Sequence, residues 1–152
     1  MPLIASLIAK VTTNFPDLVF TASDEFRWSP DEQTVFYEKD SEDLASFLHE
    51  LSHAILNHKE YARDVGLLEL ERAAWTYAQE NLSGEYGVVI DTDQVEDSLD
   101  TYRNWLHARS TCPSCKATGF EVKKAEYKCP ACSSKWRVND ARICALRRYT
   151  VA

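Results

Sequence analysis

No stretch of this 152-residue chain has the length and apolarity of a bilayer span. The apolar stretch Leu3 to Ala9 is far too short, and no basic segment leads into a long apolar one as in a secretory leader. The expected location is therefore cytoplasmic. Internal repeats and low-complexity tracts are also missing. Cysteine is absent from residues 1 to 111. At this length about two-thirds of the unfolded surface can be buried, so the core needs no disulfide framework. Basic residues are scarce in the same region: residues 1 to 108 carry 7 basic against 21 acidic side chains, whereas 109 to 152 carry 10 basic against 3. A net −7 thus conceals segments of −14 and +7, which implies two units, 1–108 and 109–152.

Pro2 followed by Leu3, Ile4, Leu7, Ile8 and Val11 reads as a short amphipathic helix that Pro16 ends. Phe26, Trp28 and then Thr34 to Tyr37 flank the turn-forming Ser29-Pro30-Asp31-Glu32, so a β-hairpin is expected. Asp40 or Ser41 can cap the next helix, with Glu42 and Asp43 in its first turn and Leu44, Phe47, Leu48, Leu51 and Ile55 down one face to about Asn57. Two more helices are predicted, from about Leu67 to Leu82, stopping at Ser83-Gly84, and from about Gln94 to His107.

The first long helix contains His49-Glu50-Leu51-Ser52-His53. Histidines at i and i+4 stand one turn apart on one side of a helix, where both imidazoles can reach one Zn²⁺, while Glu50 can polarise a water beside them. A shuffled chain of this composition would show HExxH about once in a hundred tries. Three polar side chains on a helix that is otherwise apolar are costly to bury unless something compensates them.

A zinc site needs a third protein ligand, and Asn57, His58, Glu60, Asp64, Glu69 and Glu71 lie downstream. On the following helix Leu67, Leu70, Ala74, Tyr77 and Ala78 make the apolar face and Glu71 lies on it, whereas Glu69 falls with Arg72, Thr76 and Glu80 on the polar face. A carboxylate on a buried face needs a cation, which favours Glu71, either as a metal ligand or in an ion pair. His58 is the competitor. To serve as a ligand it needs a sharp turn back after the helix, and no glycine in Ala54 to Asn57 supplies one.

The run Leu48 to His58, followed by Glu71-Arg72-Ala73-Ala74-Trp75-Thr76-Tyr77-Ala78, resembles the ImmA/IrrE-type family of zinc metallopeptidases. The resemblance covers about residues 35 to 80. Ser52 stands where that family has glycine, and Asn57 where it often has histidine. The resemblance implies a zincin-like metallopeptidase domain over 1–108, with His49, His53 and Glu71 on a catalytic zinc and Glu50 as general base. It also implies a peptide or protein substrate. His58, Tyr61 and Tyr77 are candidates to stabilise the oxyanion, and Thr34 to Tyr37, if at a sheet edge, could hold an extended peptide.

In the basic segment, Cys112-Pro113-Ser114-Cys115 and Cys129-Pro130-Ala131-Cys132 enclose 13 residues, with Gly119 and Val122 in a short hairpin. Four thiolates on two tight turns suit tetrahedral Zn²⁺ with no open position, so 109–152 reads as a zinc ribbon with a structural zinc. Cys144 is left over as a small apolar residue or free thiol. Lys116, Lys123, Lys124, Lys128, Lys135 and Arg137, interleaved with Phe120, Tyr127 and Trp136, could contact nucleic acid or instead form a solvated surface. The overall expectation is an α+β protein, a zincin-like domain of helices and a short sheet followed by a zinc ribbon, without membrane partners. Two alternatives stand beside it. A SprT-like protease acting on DNA-bound proteins also joins HExxH to a ribbon, but completes its metal site with a third histidine, and none lies between His58 and His107. A non-enzymatic regulatory or DNA-binding module is the other.

Overall fold

The N-terminal stripe folds as α1 (Ile4–Asn14), burying Ile4, Leu7 and Val11. This computed structural model describes residues 3–139 and 146–151, and within them the chain is mixed α+β. Cys144 lies outside the described residues. Two compact units are formed, Met1–Glu60 with Leu70–Val95, and Tyr61–Glu69 with Glu96–Ala152. They do not coincide with the division at 108/109, which reflects charge and not contact. Among the described residues no helix is long and apolar enough to cross a membrane.

In the first unit, β2 (Arg27–Ser29) and β3 (Thr34–Glu38) form the expected hairpin, with Trp28 opposite Val35. A further strand, β1 (Val19–Ser23), pairs parallel with the other side of β3, Phe20 opposite Val35, to give the order β1-β3-β2. Thr34 to Tyr37 is therefore the centre of the sheet, so it does not meet the condition of lying at an edge where it could hold an extended peptide. β2 is the edge that packs beside the next helix.

That helix, α2 (Leu44–Ile55), begins later than its charge pattern suggests. Asp43 is the N-cap because its carboxylate accepts from Ser46 N at 3.1 Å and Ser46 Oγ at 2.6 Å, leaving Asp40 and Ser41 outside. Leu44, Phe47, Leu48 and Leu51 enter a core with Leu7, Val11, Trp28, Val35, Ala78 and Leu82. At the other end Asn57 takes a left-handed φ of 56°. His58 N donates to His53 O at 2.9 Å and Asn57 N to Ala54 O at 3.1 Å, a Schellman closure with asparagine where glycine is usual. The sharp turn thought to require glycine is thus made, because asparagine tolerates the left-handed region.

α3 (Asp64–Tyr77) continues through one π-helical turn, Ala78–Leu82, into α4 (Ser83–Tyr86). Ser83-Gly84 does not stop it. Ser83 Oγ donates back to Gln79 O at 2.9 Å, and the chain leaves the helix only at Gly87, whose φ is +65°.

The second unit takes the residues from Glu96 of α5 (Thr92–Ser110) and an antiparallel sheet β4 (Phe120–Lys123), β5 (Glu126–Lys128), β6 (Lys135–Val138) and β7 (Arg148–Val151), in that order. Tyr127 and Trp136 stack at 5.7 Å on its buried face. A Cβ at Gly119 would run into the Trp136 ring, so only glycine fits there. Beneath the sheet, Asp64 accepts from Arg109 Nε at 2.8 Å and Tyr127 Oη at 2.5 Å, and all three residues are buried. Arg109 also donates to the carbonyl of Asn139, and its own carbonyl accepts from Trp136 Nε1. Such a pair is costly to break because either partner alone would be an uncompensated buried charge.

Candidate metal centre

One turn of α2 separates His49 from His53, and their Nε2 atoms converge to 3.2 Å. Glu71, on the buried face of α3 with Ala74 and Trp75, brings Oε2 to 2.8 Å from His49 Nε2 and Oε1 to 3.3 Å from His53 Nε2. Glu69, Arg72, Thr76 and Glu80 are exposed. The helical period that distinguished Glu71 from Glu69 thus corresponds to burial. Ligands 2.0–2.1 Å from a tetrahedral metal stand about 3.3 Å apart, close to these separations. Glu71 Oε2 is fully buried and has no hydrogen-bond partner, despite its nearness to His49. Three electron-pair donors turned toward one point, one of them an orphaned carboxylate oxygen, fit a cation.

The electrostatics agree with that fit. Burial alone would push the Glu71 carboxyl up, but the adjacent imidazoles of His49 and His53 outweigh it and hold the group well below the usual carboxylate range. Burial would lower the His53 imidazole, and Glu71 with Glu50 reverses this and raises it. Glu50 is different. Burial dominates its surroundings and raises its carboxyl, against the opposing pull of His49 and His53. Its Oε2 accepts from Trp28 N at 3.0 Å, while Oε1 lies 4.0 Å from His49 Nε2.

Two neighbours, Trp28 and Trp75, were not identified from sequence as parts of the site. Trp28 fixes Glu50 through its backbone N–H, and its indole Nε1 donates to His58 O at 2.9 Å. No sequence signal links β2 to Glu50. Trp75 stacks on the His49 ring at 4.2 Å, and its position four residues after Glu71 on the same helical face was available as a signal. His58 is not among the convergent donors. The Asn57 turn instead places its Nδ1 2.8 Å from His53 Nδ1, so one of these nitrogens donates to the other behind the site. Burial, then the nearby His53, lowers the His58 imidazole. Of the other oxyanion candidates, Tyr77 packs against the core of the first unit, and Tyr61 belongs to the second, its ring under Lys124 Nζ at 5.1 Å.

A second donor set occupies the second unit. Cys112, Cys115, Cys129 and Cys132 converge, with Sγ separations of 3.6 Å for Cys112–Cys132 and 3.5 Å for Cys115–Cys129. Four sulfurs at about 2.3 Å from a metal would be about 3.8 Å apart. The two CxxC turns are built alike: Lys116 and Ser133 take left-handed φ of 68° and 65°, and their N–H groups donate to Cys112 O and Cys129 O at 3.0 Å. Backbone N–H groups of Cys115 and Ser114 hold the Cys112 thiol down at about 6. At Cys115 the N–H of Ala117 acts the same way, but the neighbouring sulfurs outweigh it and push that thiol up to about 11. So many mutually close sulfurs cannot all ionise without a cation among them. Both groups could therefore hold a metal ion. Protein-family models, curated proteins and solved structures yield no significant match to the chain.

Proposed function

We propose that the chain is a zinc metallopeptidase of HExxH type, akin to the ImmA/IrrE-type enzymes, with a separate structural zinc ribbon. The observation that carries this reading is the convergence of His49, His53 and the Glu71 carboxylate, whose Oε2 is buried without a hydrogen bond, beside a Glu50 that stays out of the donor set. His49, His53 and Glu71 would hold the catalytic Zn²⁺, and the four cysteines the structural one. Zinc at the first site supplies Lewis-acid polarisation of a scissile carbonyl and of the attacking water.

Glu50 moves the proton. The Trp28 N–H occupies Oε2, which leaves Oε1 as the oxygen that takes the water proton and later returns it to the leaving amine. A carboxyl raised by burial is a stronger base than an exposed one, which suits this task. Trp75 holds the His49 ring in plane, and His58 keeps His53 in orientation from behind. The edge strand β2, beside α2, is the element that can align an extended peptide. A carboxylate third donor, where SprT-like enzymes use histidine, separates the reading from that alternative.

The test is digestion of a peptide library by the full chain reconstituted with zinc, read by mass spectrometry. Cleavage that a chelator abolishes and added zinc restores is expected. No cleavage of any peptide by zinc-loaded protein overturns the assignment.

A further inference from the structure

The register of the second unit's sheet sorts its side chains into two faces. Glu121, Tyr127, Trp136 and Thr150 form one cross-strand row, and in it Tyr127 and Trp136 are buried. The rows on either side point the opposite way. One is Phe120, Lys128, Lys135 and Val151, and the other is Glu126, Arg137 and Tyr149, with Lys123 set opposite Glu126 by a register shift after Glu121. This outward face therefore carries the cations Lys128, Lys135 and Arg137, and its one carboxylate, Glu126, is paired with Lys123 at 3.2 Å. It also exposes two aromatic rings, Phe120 at 50% and Tyr149 at 41%.

The placement of rings and cations is specific. Phe120 is on β4 and Tyr149 on β7, three strand spacings or about 14 Å apart, so they cannot stack on the same base. Lys128, Lys135 and Arg137 lie on the strands between them. The Arg137 guanidinium sits 4.9 Å from the Tyr149 ring, which adds a planar cation to that platform. Rings that flank a cationic strip match a polymer with alternating planar bases and phosphates. A duplex hides its base faces in its own stack, and the face of a four-stranded sheet is too broad to enter a groove that admits a helix or a two-stranded ribbon.

We infer that the outward face of β4–β7 binds single-stranded nucleic acid, with Phe120 and Tyr149 stacking on separate bases and Lys128, Lys135 and Arg137 on the phosphates between. This surface is independent of the peptidase reading and stands or falls without it.

The experiment is fluorescence anisotropy of the zinc-loaded full chain with labelled oligo-dT and oligo-U of about 12 nucleotides, and with a duplex of equal length. The single strands should bind more tightly than the duplex, and log K should fall against log salt with a slope of about −2, from three phosphate contacts. Phe120→Leu keeps apolar bulk but loses stacking and should weaken binding by about fivefold or more, whereas Phe120→Trp should retain it. Lys135→Ala with Arg137→Ala should weaken binding and flatten the slope by about 1.4. Lys10→Ala removes an exposed cation of α1, outside this unit, and should change nothing beyond twofold, a margin set by about 0.4 kcal/mol. Three results would overturn the inference: no binding at low salt, tighter binding of the duplex, or equal loss from Lys10→Ala and from the sheet-face variants. Cysteine thiols of the four-sulfur cluster that stay protected from a thiol reagent in each variant confirm that the sheet is folded.

Discussion

Replacing Glu50 with glutamine should separate chemistry from structure. The amide oxygen can still accept from Trp28 N, so a charge-assisted hydrogen bond of about 1.5–3 kcal/mol becomes a neutral one of about 0.5–1.5. That loss of about 1 kcal/mol is opposed by the removal of a carboxylate that burial disfavours in its charged form. Glu50→Gln should therefore change stability by no more than about 1 kcal/mol, or about 4 °C in Tm for a chain of this size. The sign depends on pH. A carboxyl raised in the folded state is neutral in both states in acid; above its unfolded value of about 4.3 it ionises more readily in the unfolded chain and so disfavours folding. In zinc-free protein the glutamine variant should match the wild type in acid and gain on it as pH rises toward neutral. Peptide cleavage should fall by at least about a hundredfold, because the amide cannot take the water proton. The assays are metal analysis, thermal unfolding with chelator across pH, and library digestion by both proteins. Equal cleavage would refute Glu50 as the base. A Tm loss well beyond about 4 °C would refute the view that burial works against its charge.

Three further outcomes are expected. Glu71→Gln should weaken metal binding at the histidine site by at least about a hundredfold and His58→Ala by about ten- to a hundredfold, while exposed Glu69→Gln has little effect; competition with a chromophoric chelator measures all three, and a larger effect from His58 than from Glu71 would mean the donor set is misassigned. Protein purified without chelator should carry two zinc ions, and Cys112→Ser with Cys129→Ser should leave one, as read by elemental analysis; retention of both after the double change would exclude the four-cysteine site. Tyr127→Phe removes a hydrogen bond to the buried Asp64 carboxylate and should cost about 1.5–3 kcal/mol in urea unfolding, and Asp64→Ala, which strands the Arg109 charge, about 3–5. A loss under about 0.5 kcal/mol for Asp64→Ala would show that the network contributes little.

What could be read in the residues is what depends on short-range periodicity. His49 and His53 converge because four residues make about one helical turn, and no distant part of the chain is needed for that. The same period put Glu71 with Ala74 and Ala78 on a face that is buried, and left Glu69 outside. The two CxxC turns are equally local, since each closes by a hydrogen bond over four residues. The β2–β3 hairpin was legible too, its strands separated by a short turn.

What the tertiary structure alone decided involves partners far apart in sequence or competition among near-equal local choices. β1 pairs with β3 across an intervening strand, and this moved Thr34 to Tyr37 from the sheet edge to its centre. The Trp28 N–H reaches Glu50 across 22 residues, and Asp64 meets Arg109 and Tyr127 across 45 and 63. Backbone donors carry no sequence signature, and an isolated aspartate in a polar stretch gives no sign that it will be buried. Asp43 prevailed over Asp40 and Ser41 as the cap of α2, and Asn57 made a turn that glycine usually makes, because each conformation differs from its rivals by only about 1 kcal/mol and the surrounding packing selects among them.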